Sequence, residues 1–367
     1  MTAAARPPRI LIDALTYASN DGGFAEGMHG LLDSCRSLTE FEVIVAHHPR
    51  FREEFARHGL ELTSVPFPFR LRYLLQPFLL PWLTRRAHAD LVLCENTALP
   101  PFTGAPGLVT VHDLHFMKPS RVEDKTWRQR LLAGLYWRGI WAPSIRRAAA
   151  LKAISQIAAT ETREMLHPRV DIAVIPVRVD VGPEYPPQTW PAEGEPVRLL
   201  WLGHVVPRKN IGFLLASLHG FQRDWRLDIV GNTWWDADAI GAESLRDPRI
   251  TVHGFVSREE KERFYEHAHI LIAPSIDEGF GRTPAEAFAR SRLALTSDIA
   301  AFREYVPEAC RFSLDDPHSL MRLYNSLDAE RYAALVASGA DIRERFGVAA
   351  HIRAHRDLFQ RMVAAPR

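Results

Sequence analysis

The stretch best suited to chemistry runs from Ala268 to Ala289 and reads AHILIAPSIDEGFGRTPAEAFA. Its two carboxylates, Glu278 and Glu286, stand eight positions apart, and Gly279 and Gly281 lie between them. Glycines let backbone N–H groups approach a ligand closely, and the first turn of a following helix carries partial positive charge. This combination predicts a loop that holds a phosphate or diphosphate, with both carboxylates flanking the ligand.

The apolar pattern predicts the elements around this loop. Ala268–Ser275 is an apolar run with β-branched residues, which is typical of a buried strand. Thr283 is a good N-cap and Pro284 suits the first helical position, so a helix is predicted to begin there. Other roles for the acids stay open at this point. Glu286, three positions after Thr283, would form a capping box without any ligand, and Glu278 alone is typical of a solvated loop acid.

Two adjacent cations, Arg208 and Lys209, follow the predicted strand Arg198–Gly203. Asn210 is a plausible N-cap for the next helix, whose apolar face comprises Ile211, Leu214, Leu215 and Leu218. Cations at this place would neutralise the charge that grows on a leaving diphosphate. Taken in isolation, a solvated basic turn is the simpler interpretation.

The N-terminal half offers a histidine and a glycine loop. His112 lies near the end of the predicted strand Leu108–Leu114, where polar groups of a parallel sheet face the ligand crevice. A lone histidine at a strand end is more often structural. Gly22 and Gly23 follow the predicted strand Arg9–Ala14, as an anion-binding loop or as a simple strand–helix turn. The spacing is not G-x-G-x-x-G, so a dinucleotide fingerprint is absent.

Strands and helices alternate in both halves, which predicts an α/β fold of two Rossmann-like, doubly wound domains with a cleft between them. A length of 367 residues suits two domains of ordinary size. The proline-rich, polar residues 183–196 predict a linker. The domains are therefore predicted at 1–182 and 197–347.

Composition limits the partners and the compartment. A net charge of +1 gives no support for nucleic-acid binding. The three scattered cysteines lack metal-ligand spacing and suit a reducing cytosol. The first residues lack the apolar core of a signal peptide, and no stretch is apolar enough to span a bilayer. These observations predict a cytoplasmic protein.

Two segments of the N-terminal half are rich in aromatic residues and arginine: Phe67–Arg86 and Trp127–Arg147. In the first, Pro68, Pro77 and Pro81 argue against one long helix. Two interpretations of this segment are equally good. It is either a buried helical hairpin or a basic amphipathic surface that docks on anionic lipid. Peripheral membrane contact is therefore kept as a hypothesis.

The Glu278–Glu286 segment resembles the E-x7-E signature of the family 4 retaining GT-B glycosyltransferases. V-H-D-L at 111–114 and P-R-K-N at 207–210 are similar to other motifs of that family. The resemblance covers most of the C-terminal half and three short patches of the N-terminal half. The chain departs from the family pattern at Arg282, which is usually Leu, at Arg290–Leu293, which is usually small-Gly-x-Pro, and at Val177 and Arg178, which are usually Asn-Gly.

The resemblance implies a GT-B fold, with the helical end of the chain, residues 348–367, packing back on the first domain. It also implies catalytic roles for His112, Glu278 and Lys209, with Glu278 on the donor sugar and His112 near the reacting centre. Donor binding would involve Arg208, Lys209, Gly279, Phe280, Gly281 and Glu286, with Glu286 on the ribose, and Gly22 and Gly23 bordering the cleft.

The function that follows from the resemblance is retaining transfer of a sugar from a nucleotide diphosphate sugar to a glycan or lipid-linked acceptor in surface polysaccharide assembly. Mannose from GDP-mannose is the expected donor, and neither a metal nor a further cofactor is expected. The alternatives are a nucleotide-sugar epimerase or a phosphorylase on the same fold, and a catalytically silent GT-B subunit that binds nucleotide and scaffolds a partner.

Overall fold

The computed structural model describes residues 6–19, 23–95, 98–114, 134, 135, 137–179, 185–232, 241 and 244–364. The chain divides into two compact units. The first comprises Met1–Arg178 together with Val348–Arg367, and the second comprises Val179–Gly347. The proline-rich segment 183–196, predicted as a linker, thus falls within the second unit.

The first unit, over its described residues, is built on a seven-stranded parallel sheet in the order β3-β2-β1-β4-β5-β6-β7. Its strands are β1 (Arg9–Ala14), β2 (Glu42–His47), β3 (Glu61–Ser64), β4 (Leu91–Cys94), β5 (Gly107–Val111), β6 (Ala150–Ala153) and β7 (Ile172–Val174). The order reverses between β1 and β4. Doubly wound sheets bind ligands beyond the carboxyl ends of the strands at such a point.

The second unit has the same plan. In the part that the structure describes, its six strands pair in parallel in the order β10-β9-β8-β11-β12-β13. They are β8 (Val197–Leu202), β9 (Trp225–Val230), β10 (Ile250–Gly254), β11 (Ile270–Ala273), β12 (Leu293–Ser297) and β13 (Arg311–Phe312). Here the order reverses between β8 and β11.

Helices connect the strands. Those of the first unit are α1 (Gly23–Cys35), α2 (Arg52–Ala56), α3 (Arg72–Arg86), α4 (Ala142–Arg147), α5 (Gln156–Leu166) and the last helix, α13 (Val348–Ala364). Those of the second unit are α6 (Ile211–Leu218), α7 (Arg258–His267), α8 (Arg282–Ala289), α9 (Ala300–Arg303), α10 (Ser319–Asn325), α11 (Ala329–Ala337) and α12 (Ile342–Phe346).

The first sheet is apolar on both faces, and this explains its sequence pattern. Along β1, Ile10 and Ile12 pack into one buried cluster, whereas Leu11 packs into the other. Parallel strands covered on both sides read as continuous apolar runs rather than as alternating ones. The prediction of a strand at Arg9–Ala14 is confirmed residue for residue, and β4 is likewise a continuous apolar run.

The prediction that prolines prevent a long helix in Phe67–Arg86 is wrong. Helix α3 runs through both Pro77 and Pro81, and Leu80 and Leu83 on one of its faces are buried. Each proline removes one helical hydrogen bond. The carbonyl groups concerned belong to Tyr73, which is exposed, and to Pro77, which is partly exposed, so water can bind there. In the companion segment Trp127–Arg147, residues 127–133 and 136 lie outside the described residues.

Across the described residues, the helices are too short or too polar for any of them to cross a bilayer. Cys35, Cys94 and Cys310 are buried, and none of these three forms a disulfide bond. Burial raises the pKa of the Cys35 thiol to about 12, so this sulfur stays protonated at neutral pH.

Candidate functional site

The strand order of the second unit brings two loops together. Strands β8 and β11 are neighbours, so the loops that leave their carboxyl ends emerge at the same edge of the sheet. The Ile276 N–H donates to the Arg208 carbonyl oxygen at 2.8 Å and joins the loops directly. This edge is also where the strand order reverses, the usual ligand position in such sheets.

Glu278 is the centre of a charged cluster between these loops. Its Oε1 accepts hydrogen bonds from Lys209 Nζ at 2.6 Å and from Ser275 Oγ at 2.8 Å. Its Oε2 accepts from Arg208 Nη1 at 3.0 Å. The structure thus brings together three of the predicted residues, and Glu278 is buried rather than a solvated loop acid.

The cations keep this buried carboxylate charged. Burial alone raises the pKa of Glu278, but Lys209 and Arg208 outweigh it and bring the pKa to about 2. Arg208 is the more exposed of the two cations, with 38% of its side chain accessible against 16% for Lys209. A fixed anion therefore holds two cations at the mouth of the loop, where they can bind a second anionic group.

The glycine loop ends at a position that requires glycine. Gly281 is the N-cap of α8 and has a φ of +80°. A Cβ at this position would lie 2.2 Å from Phe302 Cε1. Phe280 is buried against Tyr305 and Phe346, so its contribution to the loop surface comes from its backbone. Gly279 is half-buried beside it.

The predicted start of α8 is wrong. The helix begins at Arg282, and Thr283 lies inside its first turn instead of capping it. Gly281 takes the cap position because only glycine tolerates the left-handed backbone there. Glu286 therefore does not form the capping box that was one explanation of its place in the sequence.

Glu286 is instead held by side chains from α7 and α8. Its Oε2 accepts from the Tyr265 hydroxyl at 2.8 Å and lies 3.6 Å from Lys261 Nζ, and its Oε1 lies 3.4 Å from Arg282 Nη2. Burial raises the pKa of Glu286, but these cations and Arg290 outweigh it and lower the pKa to about 2. Glu286 is thus a buried, charged carboxylate beside the first turn of α8.

The departures from the family pattern have structural roles. Arg282 faces Glu286 across the first turn of α8. Arg290 makes a two-pronged ion pair with Glu262, at 2.6 and 2.7 Å, and its guanidinium lies over the Tyr265 ring. Arg292 is buried and donates to backbone carbonyl groups, among them those of Tyr265 and Glu266. These arginines hold α7 against α8, behind Glu286.

The first unit has its own polar site at its reversal point. His112 directly follows β5, and a small pocket there is lined by Asp13, Thr16, Tyr17, Phe24, Ala25, Met28, Glu95 and His112. The Nε2 of His112 lies 2.8 Å from the Glu95 carbonyl oxygen. Burial is the main cause that lowers the pKa of His112. Gly23 is the exposed first residue of α1, and Gly22 lies outside the described residues.

Several residues of these sites were missed from the sequence. Ser275 and Tyr265 support the two predicted glutamates but belong to no motif. Glu95 gave a usable signal, because it follows strand β4 in the same way that His112 follows β5. Lys152 gave another, because it is a charged residue inside the apolar strand β6.

Two doubly wound α/β units, one with a cation cluster and a glycine loop at its reversal point, define the GT-B class of two-domain fold. The family model "Glycosyltransferase Family 4" matches residues 22–183, and the model "Glycosyl transferases group 1" matches residues 196–327. The chain belongs to the family 4 glycosyltransferases of GT-B fold.

Solved structures agree on the fold. Sucrose-phosphate synthase from Thermosynechococcus elongatus superposes with a TM-score of 0.77 at 16% identity, covering 98% of this chain and 100% of that one. The Anabaena protein HepE, solved in complex with UDP and glucose, superposes with a TM-score of 0.72 at 17% identity, covering 96% and 100%.

Curated relatives match over shorter stretches. The O-antigen chain mannosyltransferase RfbU of Salmonella typhimurium is 43% identical over 109 residues, which is 29% of this chain and 31% of that protein. The serotype-specific mannosyltransferase WbdA of Escherichia coli is 28% identical over 131 residues, which is 34% of this chain and 16% of that protein. The matches thus span less than a third of either relative.

Proposed function

We propose that the protein transfers a sugar, with retention of configuration, from a nucleotide diphosphate sugar to a hydroxyl group of a glycan or lipid-linked acceptor. The observation that carries this proposal is the cluster of Lys209 and Arg208 on Glu278, beside the glycine loop and the first turn of α8. Cations, loop N–H groups and a helix N-terminus together form a site for a diphosphate.

The chemistry needs a leaving group that can carry charge. The acceptor oxygen forms a bond to the anomeric carbon as the bond from that carbon to the diphosphate oxygen breaks, and the acceptor proton passes to the departing phosphate on the same face. Lys209, Arg208 and the N–H groups of Gly279, Phe280 and Gly281 stabilise the negative charge that develops. Preorganised donors of this kind are worth several kcal/mol, on the order of 3 for a single one.

The acids and the histidine take complementary roles. Glu278 accepts hydrogen bonds from donor sugar hydroxyls, and Glu286 accepts them from the ribose. His112 acts close to the reacting centre. Gly22 and Gly23 border the donor. These assignments rest on the resemblance together with the burial and charge of Glu278 and Glu286.

We propose GDP-mannose as the donor and surface polysaccharide as the product. Support comes from the names of the two relatives above, an O-antigen chain mannosyltransferase and a serotype-specific mannosyltransferase. UDP, which is bound in the Anabaena neighbour, is the competing nucleotide. We also propose that no metal is needed, because Lys209 and Arg208 supply the positive charge that a cation would otherwise provide.

A nucleotide screen tests the donor site. UDP, GDP, dTDP, ADP and CMP are added without metal, and the unfolding midpoint is recorded, because a ligand bound to the folded state raises it. We expect GDP to give the largest shift. Lys209→Met should weaken its affinity about tenfold or more, since one charge-assisted hydrogen bond is lost. Arg322→Ala, an exposed cation on α10, is the matched control and should bind as the wild type does.

A turnover assay separates the remaining alternatives. GDP-mannose and an acceptor extract are incubated with and without EDTA, and the anomeric configuration of the product is read by NMR. Retained configuration with unchanged rate in EDTA supports the proposal. Nucleotide binding without turnover favours the silent scaffold. An inverted product contradicts the retaining mechanism, and abolition of transfer by EDTA contradicts metal independence.

We further propose that the protein contacts an anionic membrane surface through α3. Leu74, Phe78 and Trp82 lie four residues apart on one face and are 68%, 76% and 50% exposed. Between residues 65 and 89 the chain has four arginines and no carboxylate: Arg70, Arg72, Arg85 and Arg86. An apolar stripe with flanking cations suits the interface of an anionic bilayer.

Vesicle sedimentation tests this contact. Binding is expected to vesicles of mixed phosphatidylglycerol and phosphatidylcholine, to weaken with salt, and to be weak on phosphatidylcholine alone. Phe78→Ser with Trp82→Ser should lower the affinity about tenfold or more, from the loss of buried apolar area. Phe255→Ser, which changes an exposed phenylalanine of the second unit, is the control. Equal loss in the control, or no binding to any vesicle, overturns the proposal.

A further inference from the structure

A buried ion pair underlies the pocket of the first unit. Lys152 on β6 and Glu95 after β4 have 3% and 6% of their side chains exposed, and Nζ lies 2.7 Å from Oε2. Thr110 on β5, the strand between them, donates to the same oxygen at 2.7 Å. Three neighbouring strands thus supply one member each. Burying two charges is costly, and a pair of this kind needs full hydrogen bonding to persist.

The last helix gives Lys152 a second hydrogen-bond acceptor. His355 Nδ1 lies 2.9 Å from the His351 carbonyl oxygen, so this nitrogen carries the proton. The His355 Nε2 is then an acceptor, and Lys152 Nζ lies 3.4 Å from it. Burial lowers the pKa of His355 well below its ordinary value, which agrees with a neutral ring. The ammonium group therefore donates to Glu95 and His355.

Glu95 connects this pair to His112. The backbone carbonyl of Glu95 accepts from His112 Nε2 at 2.8 Å, and its Oε1 lies 3.8 Å from the same nitrogen. A carbonyl oxygen only accepts, so the proton of the neutral ring is on Nε2 and the lone pair is on Nδ1. The Phe24 ring packs edge-on against the imidazole, with 4.7 Å between ring centroids.

We propose that Glu95 and Lys152 are positioning residues that hold the His112 ring in the Nε2–H tautomer, so that its Nδ1 accepts a hydrogen bond from a hydroxyl group of the ligand. The ligand role rests on the proposed function, whereas the tautomer does not. Lys152 is needed to balance the negative charge of Glu95. Glu95 without a counter-charge would stabilise the imidazolium, whose Nδ1 is a donor.

The charged groups that act on His112 agree with these roles for Glu95 and Lys152. Burial is the largest cause of its lowered pKa; the Glu95 carboxylate and Asp113 raise the pKa, and Lys152 lowers it. Removal of Lys152 therefore leaves two carboxylates that favour the charged ring. Removal of Glu95 as well returns the ring to the neutral state.

Nitrogen NMR of histidine-labelled protein tests the inference directly. The chain has 16 histidines, so the His112 signals are assigned by their loss in His112→Gln. In the wild type at pH 7 we expect the Nε2–H tautomer. In Lys152→Met the pKa of His112 should rise by about one unit or more, and Lys152→Met with Glu95→Gln should reverse the rise. A charged ring or an Nδ1–H tautomer in the wild type overturns the inference, even where a variant fails to fold.

Transfer activity supplies a second reading. With His112 required as an acceptor, the acid limb of the kcat profile should move to higher pH in Lys152→Met and return in the double variant. If the acid limb does not move while the His112 pKa shifts as expected by NMR, the ring is held in the Nε2–H tautomer but does not act in transfer. Absence of transfer in every protein, with the tautomer as stated, contradicts the proposed function and leaves the positioning role standing.

Discussion

At the scale of single residues, the second unit keeps buried carboxylates charged by surrounding them with cations. Glu278 has Lys209 and Arg208, and Glu286 has Lys261 and Arg282. In each case burial opposes ionisation and the cations prevail. An acid prepared in this way is a permanent hydrogen-bond acceptor at neutral pH, which is what recognition of sugar hydroxyls requires.

The lowered pKa of Glu278 has a consequence for stability in acid. The folded pKa of about 2 lies below the ordinary 4.5, so ionised Glu278 stabilises the fold above about pH 4.5, and this contribution is lost as the pH falls toward 2. Its size is about 3 kcal/mol.

Urea unfolding at a series of pH values measures this contribution. We expect Glu278→Gln to be less stable than the wild type at pH 7, with the difference shrinking toward pH 2. Glu330→Gln, an exposed acid of α11, is the control, and its difference from the wild type should stay small throughout. A constant deficit of Glu278→Gln at every pH would show that the carboxylate is not held by its cations.

At the scale of elements, the loop before α8 depends on its last glycine. The φ of +80° at Gly281 and the nearness of Phe302 leave no room for a side chain. Gly281→Ala should cost about 2 kcal/mol or more from backbone strain and the clash. Gly212→Ala in α6, where a Cβ meets nothing within 4 Å, is the matched control and should be neutral or stabilising by up to about 1 kcal/mol.

Urea unfolding curves of the two variants measure these free energies. Thermal shifts with GDP then show whether the loop of Gly281→Ala still binds. A Gly281→Ala protein as stable as Gly212→Ala would mean that the loop has another conformation.

The elements that the sequence predicts well are those that tertiary packing reinforces. Strands β1 and β4 are buried on both faces, so their apolar runs are unambiguous. Ser257 and Glu260 form a capping box at the start of α7, an arrangement that depends on local sequence alone. The prediction for α3 was wrong, because water can replace the two helical hydrogen bonds that its prolines remove. The sequence does not show that this part of the helix is exposed.

Prediction of the site stops where partners come from distant positions. The pairing of Glu278 with Lys209 spans 69 residues, and only the adjacency of β8 and β11 brings them together. Glu95 and Lys152 are 57 residues apart and meet across β5. Local spacing identifies a charged residue that needs a partner, but the strand order decides which partner it receives.

At the scale of the whole molecule, the first unit is assembled from two separate stretches of chain. Helix α13 contributes His351, whose Nδ1 lies 2.8 Å from Ser34 Oγ, and Arg356, which pairs with Glu40 at 2.7 Å. Phe359 is fully buried and packs edge-on against Phe41. The first unit therefore cannot complete its core without α13.

This assembly predicts that a change near the end of the chain weakens its beginning. Phe359→Ala should destabilise the first unit by about 3–5 kcal/mol, the usual cost of emptying a buried aromatic site. Gln360→Ala, at the exposed neighbouring position, should change the free energy of unfolding little.

Hydrogen exchange in moderate urea measures both units separately. In Phe359→Ala the amides of β1 and β2 should lose protection well before those of β8, with GDP-induced protection of β8 retained. Equal loss in both units would mean that the two fold as one cooperative body, and α13 would then stabilise the whole chain.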